Sequence, residues 1–211
     1  MKRTDLGAAF WILCLQYFAG ESIAIGGWPG RYSLSDNFIS DLGAVGCDAA
    51  RGICSPLNAV MNASFLLQGL LILGGAILVG PLFPTGTLWR AALFLVGASG
   101  IGVFVVGLAP EDVWPGPHYL GAAENLALCN LGMATMGVAL LRWRPETRAI
   151  GLISIAAGLL GLLGVILLSQ HMSLGLGIGA IERVAAYPFP IWIAATGAML
   201  LWGGELTGRA R

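Results

Sequence analysis

Six stretches of the chain stay apolar long enough to cross the roughly 30 Å hydrocarbon core of a bilayer, a distance that takes about 20 helical residues. They run over about 5–26, 57–80, 89–109, 118–141, 149–169 and 185–203. Between them the pattern turns polar or helix-breaking: Trp28-Pro29-Gly30 closes the first, Pro81 to Gly86 separates the second from the third, and Pro110 to Pro117 separates the third from the fourth. The expected fold is an all-α integral membrane bundle of six transmembrane helices, a single domain over residues 1–211.

Composition agrees with a lipid solvent. Hydrophobic residues make up 57% of the chain and charged ones 10%, whereas a soluble domain carries about a quarter charged residues. The 32 glycines would weaken soluble helices, but in lipid small residues let helix backbones approach closely. Eleven basic and eleven acidic residues cancel. No long-range field is left to recruit nucleic acid.

The charges inform by position. Lysine and arginine resist translocation, so they mark the cytoplasmic loops. Lys2, Arg3, Arg90, Arg142, Arg144, Arg148, Arg209 and Arg211 fall on one side, and only Arg31, Arg51 and Arg183 on the other. The expectation is a multi-pass protein of the cell membrane with both termini cytoplasmic. Asp36, Asp41, Asp48, Glu111, Asp112 and Glu182 then lie outside. Lys2-Arg3 before an apolar run, with Ser22-Ile23-Ala24 near its end, resembles a secretory signal. The length of the apolar run favours an uncleaved first helix.

Two outer segments are more than linkers. Gly27 to Pro56 is long and mixes Trp28, Tyr32 and Phe38 with acids, so it is expected to fold over the bundle mouth. It carries Cys47 and Cys54, expected to form a disulfide on an oxidising face. A thiol relay to Cys14 or Cys129 is the alternative, but no Cys-x-x-Cys is present. The second segment, Gln170 to Val184, reads as partly helical and re-entrant or interfacial. Its Gly175 to Gly179 run lacks the strand and helix of a dinucleotide loop and reads as flexible backbone.

Polar residues inside the spans supply the candidate chemistry. At 100° per residue His118, Ala122, Asn125 and Cys129 share one helix face, while Glu124 points about 120° away from His118. An acid within a membrane span marks a function or a structural hydrogen bond. Cys14, Tyr17 and Glu21 share a face of the first span, and Asn58 and Asn62 stand one turn apart on the second. Meeting of the first, second and fourth spans would gather Glu21, Asn58, Asn62, His118 and Asn125 around an outward-opening pocket. The alternative for the asparagines is interhelical hydrogen bonding. His118 and His171, the only histidines, would with Asp41, Asp112 or Glu182 form a zinc site, or with Asp41 a water-activating set; lone interfacial histidines more often anchor a helix end. Arg183 suits a lipid phosphate or carboxylate, or else pairs with Glu182 or another acid of the rim.

Tyr32-Ser33 through Asn37-Phe38-Ile39-Ser40-Asp41-Leu42-Gly43 resembles a widespread prokaryotic family of six-helix membrane proteins, domain of unknown function nine hundred and ninety-eight. The likeness extends to Asn62, to the acid and proline stretch before His118, and to Gly179-x-x-Glu182-Arg183. It implies the six-helix architecture and an outer-face cluster, and brings no reaction. More remotely the plan is similar to lipid-linked families of the Frag/DRAM/Sfk type.

Three functions follow as expectations. The first is binding or movement of a membrane lipid or other amphiphile in an outward-facing cavity, with Glu21, Asn37, Asn62, Glu124, Asn125, Glu182 and Arg183 as ligand-binding candidates beside Asp41 and His118. The second is an intramembrane lipid hydrolase with His118, His171 and Asp41 as catalytic residues, zinc being the candidate cofactor. The third is a noncatalytic subunit with a protein partner, or a homo-oligomer, in the membrane.

Overall fold

The computed structural model describes residues 2–48 and 50–203, so Arg209 and Arg211 lie outside the described residues. The described chain is helical, with no strand beyond an isolated bridge between Asp48 and Ile53. Six helical stretches are long and apolar enough to cross a membrane: Arg3–Gly26, Asn58–Leu82, Thr87–Leu108, Pro115–Leu141, Pro145–Ser169 and Ile178–Trp202. The starts of the last three spans move materially, the fifth from 149 to Pro145. The fourth span starts earlier because Pro115 sits in its first turn, where a missing N–H costs nothing. The sixth begins at Ile178 rather than 185, so the second part of the segment read as interfacial is the start of that span.

The first and last spans are each broken into two helices. In the first, α1 (Arg3–Leu13) meets α2 (Gln16–Gly26) through a tight turn in which the Cys14 and Leu15 amides bond to Trp11 and Ile12, three residues back. Gln16 there donates to the Ser64 carbonyl at 3.1 Å and to Gln68 Oε1 at 3.0 Å on α3 (Asn58–Val79). The last span comprises α7 (Ile178–Ala186) and α8 (Pro188–Ala198), which ends in a wider turn at Met199–Gly203. Pro188 and Pro190 have no N–H, so the carbonyls of Val184 and Ala186 receive no helical hydrogen bond. Asn130 reaches the break from the fourth span, donating to the Ala185 carbonyl at 2.9 Å.

Each span packs on its neighbours in sequence, and α8 returns to α1, closing a ring. Glycines set how closely the helices meet. A Cβ on Gly121 of α5 (Pro115–Leu141) would stand 2.7 Å from the Gly102 carbonyl of α4 (Thr87–Leu108). One on Gly137 would stand 2.6 Å from the Gly151 carbonyl of α6 (Arg148–Ser169). Backbone contact of this kind is how helices associate where lipid is as apolar as a leucine side chain. The outward side of α6 presents Leu152, Ile153, Leu159, Leu160, Leu163 and Ile166.

Segment 27–57 covers one end of the ring, as expected. A short 3-10 turn, Ser40–Gly43, buries Asp41, Leu42 and Gly43 against the helix ends. Ser55 donates to the Leu42 carbonyl at 2.7 Å and Asn62 of α3 to the Gly43 carbonyl at 2.9 Å. Cys47 and Cys54 are joined in a disulfide.

Candidate functional site

A cavity of about 70 Å³ lies inside the ring, capped by Ile39 and Ser40 of the covering segment. His118, Ala122, Asn125 and Cys129 all line it from α5, the face that helical spacing marks out in the sequence. Tyr17 enters from α2, Phe65, Gln68 and Ile72 from α3, Val103 and Val106 from α4, Glu182 from α7, and Phe189 and Pro190 from α8. Apolar walls thus surround a few polar groups, the usual make-up of a small-molecule site.

The partners of those polar groups fix what each offers. His118 is buried, with Nδ1 2.8 Å from the Ala109 carbonyl. That carbonyl ends α4 and stands just before Pro110, where no continuing helix satisfies it. A carbonyl only accepts, so Nδ1 carries the proton and Nε2 of the neutral ring is left as an acceptor. Asn125 donates through Nδ2 to the Ser99 carbonyl at 2.8 Å, leaving its own amide oxygen as an acceptor. Glu182 accepts the Ile39 amide hydrogen, which ties the cavity's lid to α7.

Beside the cavity, Arg183 ties the covering segment to the bundle. Nη1 donates to the carbonyls of Leu34 and Asn37 at 2.9 Å and of Gly179 at 3.0 Å. Nη2 donates to Glu21 Oε1 at 3.0 Å and Tyr32 Oη at 2.7 Å, and Nε to Tyr187 Oη at 3.0 Å. Tyr187 in turn donates to the Glu21 carboxylate. Tyr32 donates to the Phe38 carbonyl, and burial pushes its hydroxyl pKa up. The partner of Arg183 is therefore Glu21, not Glu182, and its donors are engaged within the protein.

The glycine run before Arg183 is a docking surface rather than slack backbone. Gly177 has a φ of 92°, a conformation that favours glycine. A Cβ on Gly179 would collide with the backbone of Asn37, and the Ala180 amide donates to the Ser35 carbonyl at 3.0 Å. Segment 33–37 thus lies directly on the start of α7. Asn37 itself accepts the Ser33 amide at 2.9 Å, shaping that segment from within.

A second acidic group sits under the covering segment. Asp41 and Glu111 are both buried, at 2% and 6% exposure. Asp41 Oδ2 accepts the Phe38 amide at 2.8 Å, while Asp41 Oδ1 and Glu111 Oε1 have no hydrogen-bond partner among the described residues. Arg51, from the disulfide-closed loop, stands over both at 3.9 and 3.7 Å. Burial, then the neighbouring Glu111 carboxylate, raise the Asp41 carboxyl to about 6. Asp112 faces elsewhere, accepting the Val45 and Gly46 amides at 3.1 and 2.7 Å.

Several candidates stand apart from the cavity. Glu21 and Arg183 satisfy each other; Asn62 and Asn58 hold the covering segment, Asn58 through the Ser55 carbonyl at 2.7 Å. Glu124 points away from His118, as its spacing requires, and packs against Gly102. His171 is exposed in the turn after α6 and, like Asp41, does not line the cavity. Among the described residues no three His, Cys, Asp or Glu side chains are gathered to hold a metal ion, so His118, His171 and Asp41 do not form the zinc set. Of the five groups expected to ring one pocket, His118 and Asn125 do so. Gln68 and Glu111 acquire roles that no sequence motif signalled.

The sequence model of a family described as Protein of unknown function (DUF998) matches residues 12–199. The chain belongs to that family. The match takes in the cavity-lining residues from Tyr17 to Pro190 and the whole covering segment, so these are parts of the DUF998 domain itself. No curated protein and no solved structure matches the chain.

Proposed function

We propose that this DUF998 protein binds an amphiphile at the outer face of the cell membrane, seating its polar group in the cavity beneath Ile39 and Ser40. The observation that carries the reading is the cavity's composition: acceptor groups of His118, Asn125 and Glu182 set among Phe65, Ile72, Val103, Val106 and Phe189 within membrane-spanning helices. Polar groups at that depth are expensive and are kept where they bind or move something. The bias of basic residues toward the other end supports placing the cavity outside.

The experiment is purification in mild detergent followed by mass spectrometry of retained small molecules. A bound amphiphile in the native protein, lost from the cavity-filling variant Ala122→Phe, is the expected result. Equal retention by both proteins, or none by either, overturns the reading.

A second reading, hydrolysis of the bound amphiphile, is favoured by the bare Nε2 of His118 facing the same cavity as the Ser40 hydroxyl. Turnover of an ester-containing lipid that disappears in His118→Gln supports it. Absence of turnover removes it and leaves binding standing.

A further inference from the structure

We propose that the polar group seated in the cavity is a primary ammonium. The inference rests on the amphiphile reading and names the chemical class of its head. The cavity's polar wall is rich in acceptors. Ala109 fixes the His118 tautomer so that Nε2 presents a lone pair; Ser99 fixes the Asn125 amide so that its oxygen is free; Glu182 brings a carboxylate. Gln68 and the hydroxyls of Tyr17 and Ser40 add donors, but only a group that donates meets the three acceptors at once, and an ammonium has three donors and no acceptor.

Charge points the same way. Glu182 is the one charged-type side chain among the residues that line the cavity, and it lies within electrostatic range of Arg183 as well as of Asp41 and Glu111. The nearby cations do not themselves enter the cavity. Arg183 spends its donors on Glu21, two tyrosines and three carbonyls, and Arg51 stands half-exposed over Asp41 and Glu111. Neither lines the cavity, so a carboxylate or phosphate entering it would find no lysine or arginine to pair with. Tyr17, Phe65 and Phe189 complete the wall with aromatic rings, whose faces attract cations. The volume of about 70 Å³ suits a small head.

The test uses the full chain in lipid nanodiscs, with empty nanodiscs as blank, titrated calorimetrically with propylammonium, propionate and propanol. Saturable binding of propylammonium at least tenfold tighter than the other two is expected. Glu182→Gln should weaken it at least tenfold, and Ala122→Phe should abolish it. Because Glu182 also holds the Ile39 amide, unfolding temperature without ligand is measured for both variants, and the ranking of the three probes on the native protein stands independently of them. Propionate or propanol binding as tightly as propylammonium, and lost in Ala122→Phe, overturns the ammonium assignment while the cavity reading survives. Probe binding unchanged by Ala122→Phe, or no probe binding at all, overturns both.

Discussion

Arg183 Nη2 lies 3.0 Å from Glu21 Oε1, so a buried ion pair ties the last span to the first across 162 positions of sequence. The same guanidinium holds the carbonyls of Leu34 and Asn37, so the pair also anchors the segment that roofs the cavity. Removing one member of a buried pair leaves the other charge unpaired, a loss of about 3–5 kcal/mol. Glu21→Gln and Arg183→Gln should each lower the unfolding temperature in detergent by many degrees. Arg183→Lys should rescue little, since one ammonium cannot reach six acceptors arranged for a guanidinium. Thermal unfolding followed by tryptophan fluorescence measures all three. A variant as stable as the native protein would show that the roof is held by other contacts.

The Asp41 carboxyl has the opposite relation to charge. Its pKa is raised from 3.8 to about 6 in the folded protein, so the native state binds a proton more tightly than the unfolded chain does. Stability from this group is full below about pH 4 and is lost as pH rises through about 6, a change on the order of 2 kcal/mol. The native protein should therefore lose stability between pH 4.5 and 7, and Asp41→Asn should flatten that part of the profile. Unfolding temperatures across the range, for both proteins, decide it. A native profile that rises over this interval would contradict the raised Asp41 pKa.

The helical spacing that brought His118, Ala122, Asn125 and Cys129 to one wall is a local property, which is why the sequence displays it. The six spans are legible for the same reason: crossing lipid requires long apolar runs whatever the neighbours are. Which acids pair is a tertiary matter. Asp41 and Glu111 are brought together only when the covering segment folds onto the turn after α4, and no spacing rule links them. Arg183 looks available in the sequence because its six acceptors include carbonyls of a segment far away in the chain. The break at Cys14 and Leu15 has no proline or glycine to announce it; the side chain of Gln16 meeting Ser64 and Gln68 accompanies it instead.

The Cys47–Cys54 disulfide closes the loop that carries Arg51 over Asp41 and Glu111. Closing so short a loop contributes about 2–3 kcal/mol by restricting the unfolded chain. Reduction, or the pair Cys47→Ser with Cys54→Ser, should lower the unfolding temperature modestly and expose Arg51 further to solvent. Alkylation of intact cells, with and without prior reduction, should show both cysteines blocked until reduced, because the outer location proposed for this segment is oxidising. Free thiols at these positions in intact cells would place the segment on the reducing side and reverse the orientation.

The contact between α4 and α5 joins fold to site most directly. A Cβ on Gly121 would stand 2.7 Å from the Gly102 carbonyl and 3.1 Å from Val105 Cβ, and the first of these is backbone that cannot swing aside. Gly121→Ala must move the two helices apart. That movement strains the His118 bond to Ala109 and the Asn125 bond to Ser99, which flank the contact and fix the cavity's acceptors. The variant should lose about 1–3 kcal/mol of stability, the usual cost of overpacking. It should also weaken any cavity-dependent binding by more than the thermal change alone implies. Gly116→Ala, five residues earlier on the same helix, would place its Cβ in open space and serves as the control. Alanine's helix propensity is offset there by the following Pro117, so stability should change little and binding should stay unchanged. Unfolding temperature and calorimetric titration, run on both variants, separate the outcomes: equal behaviour would mean that the α4–α5 contact does not govern the geometry of the cavity wall.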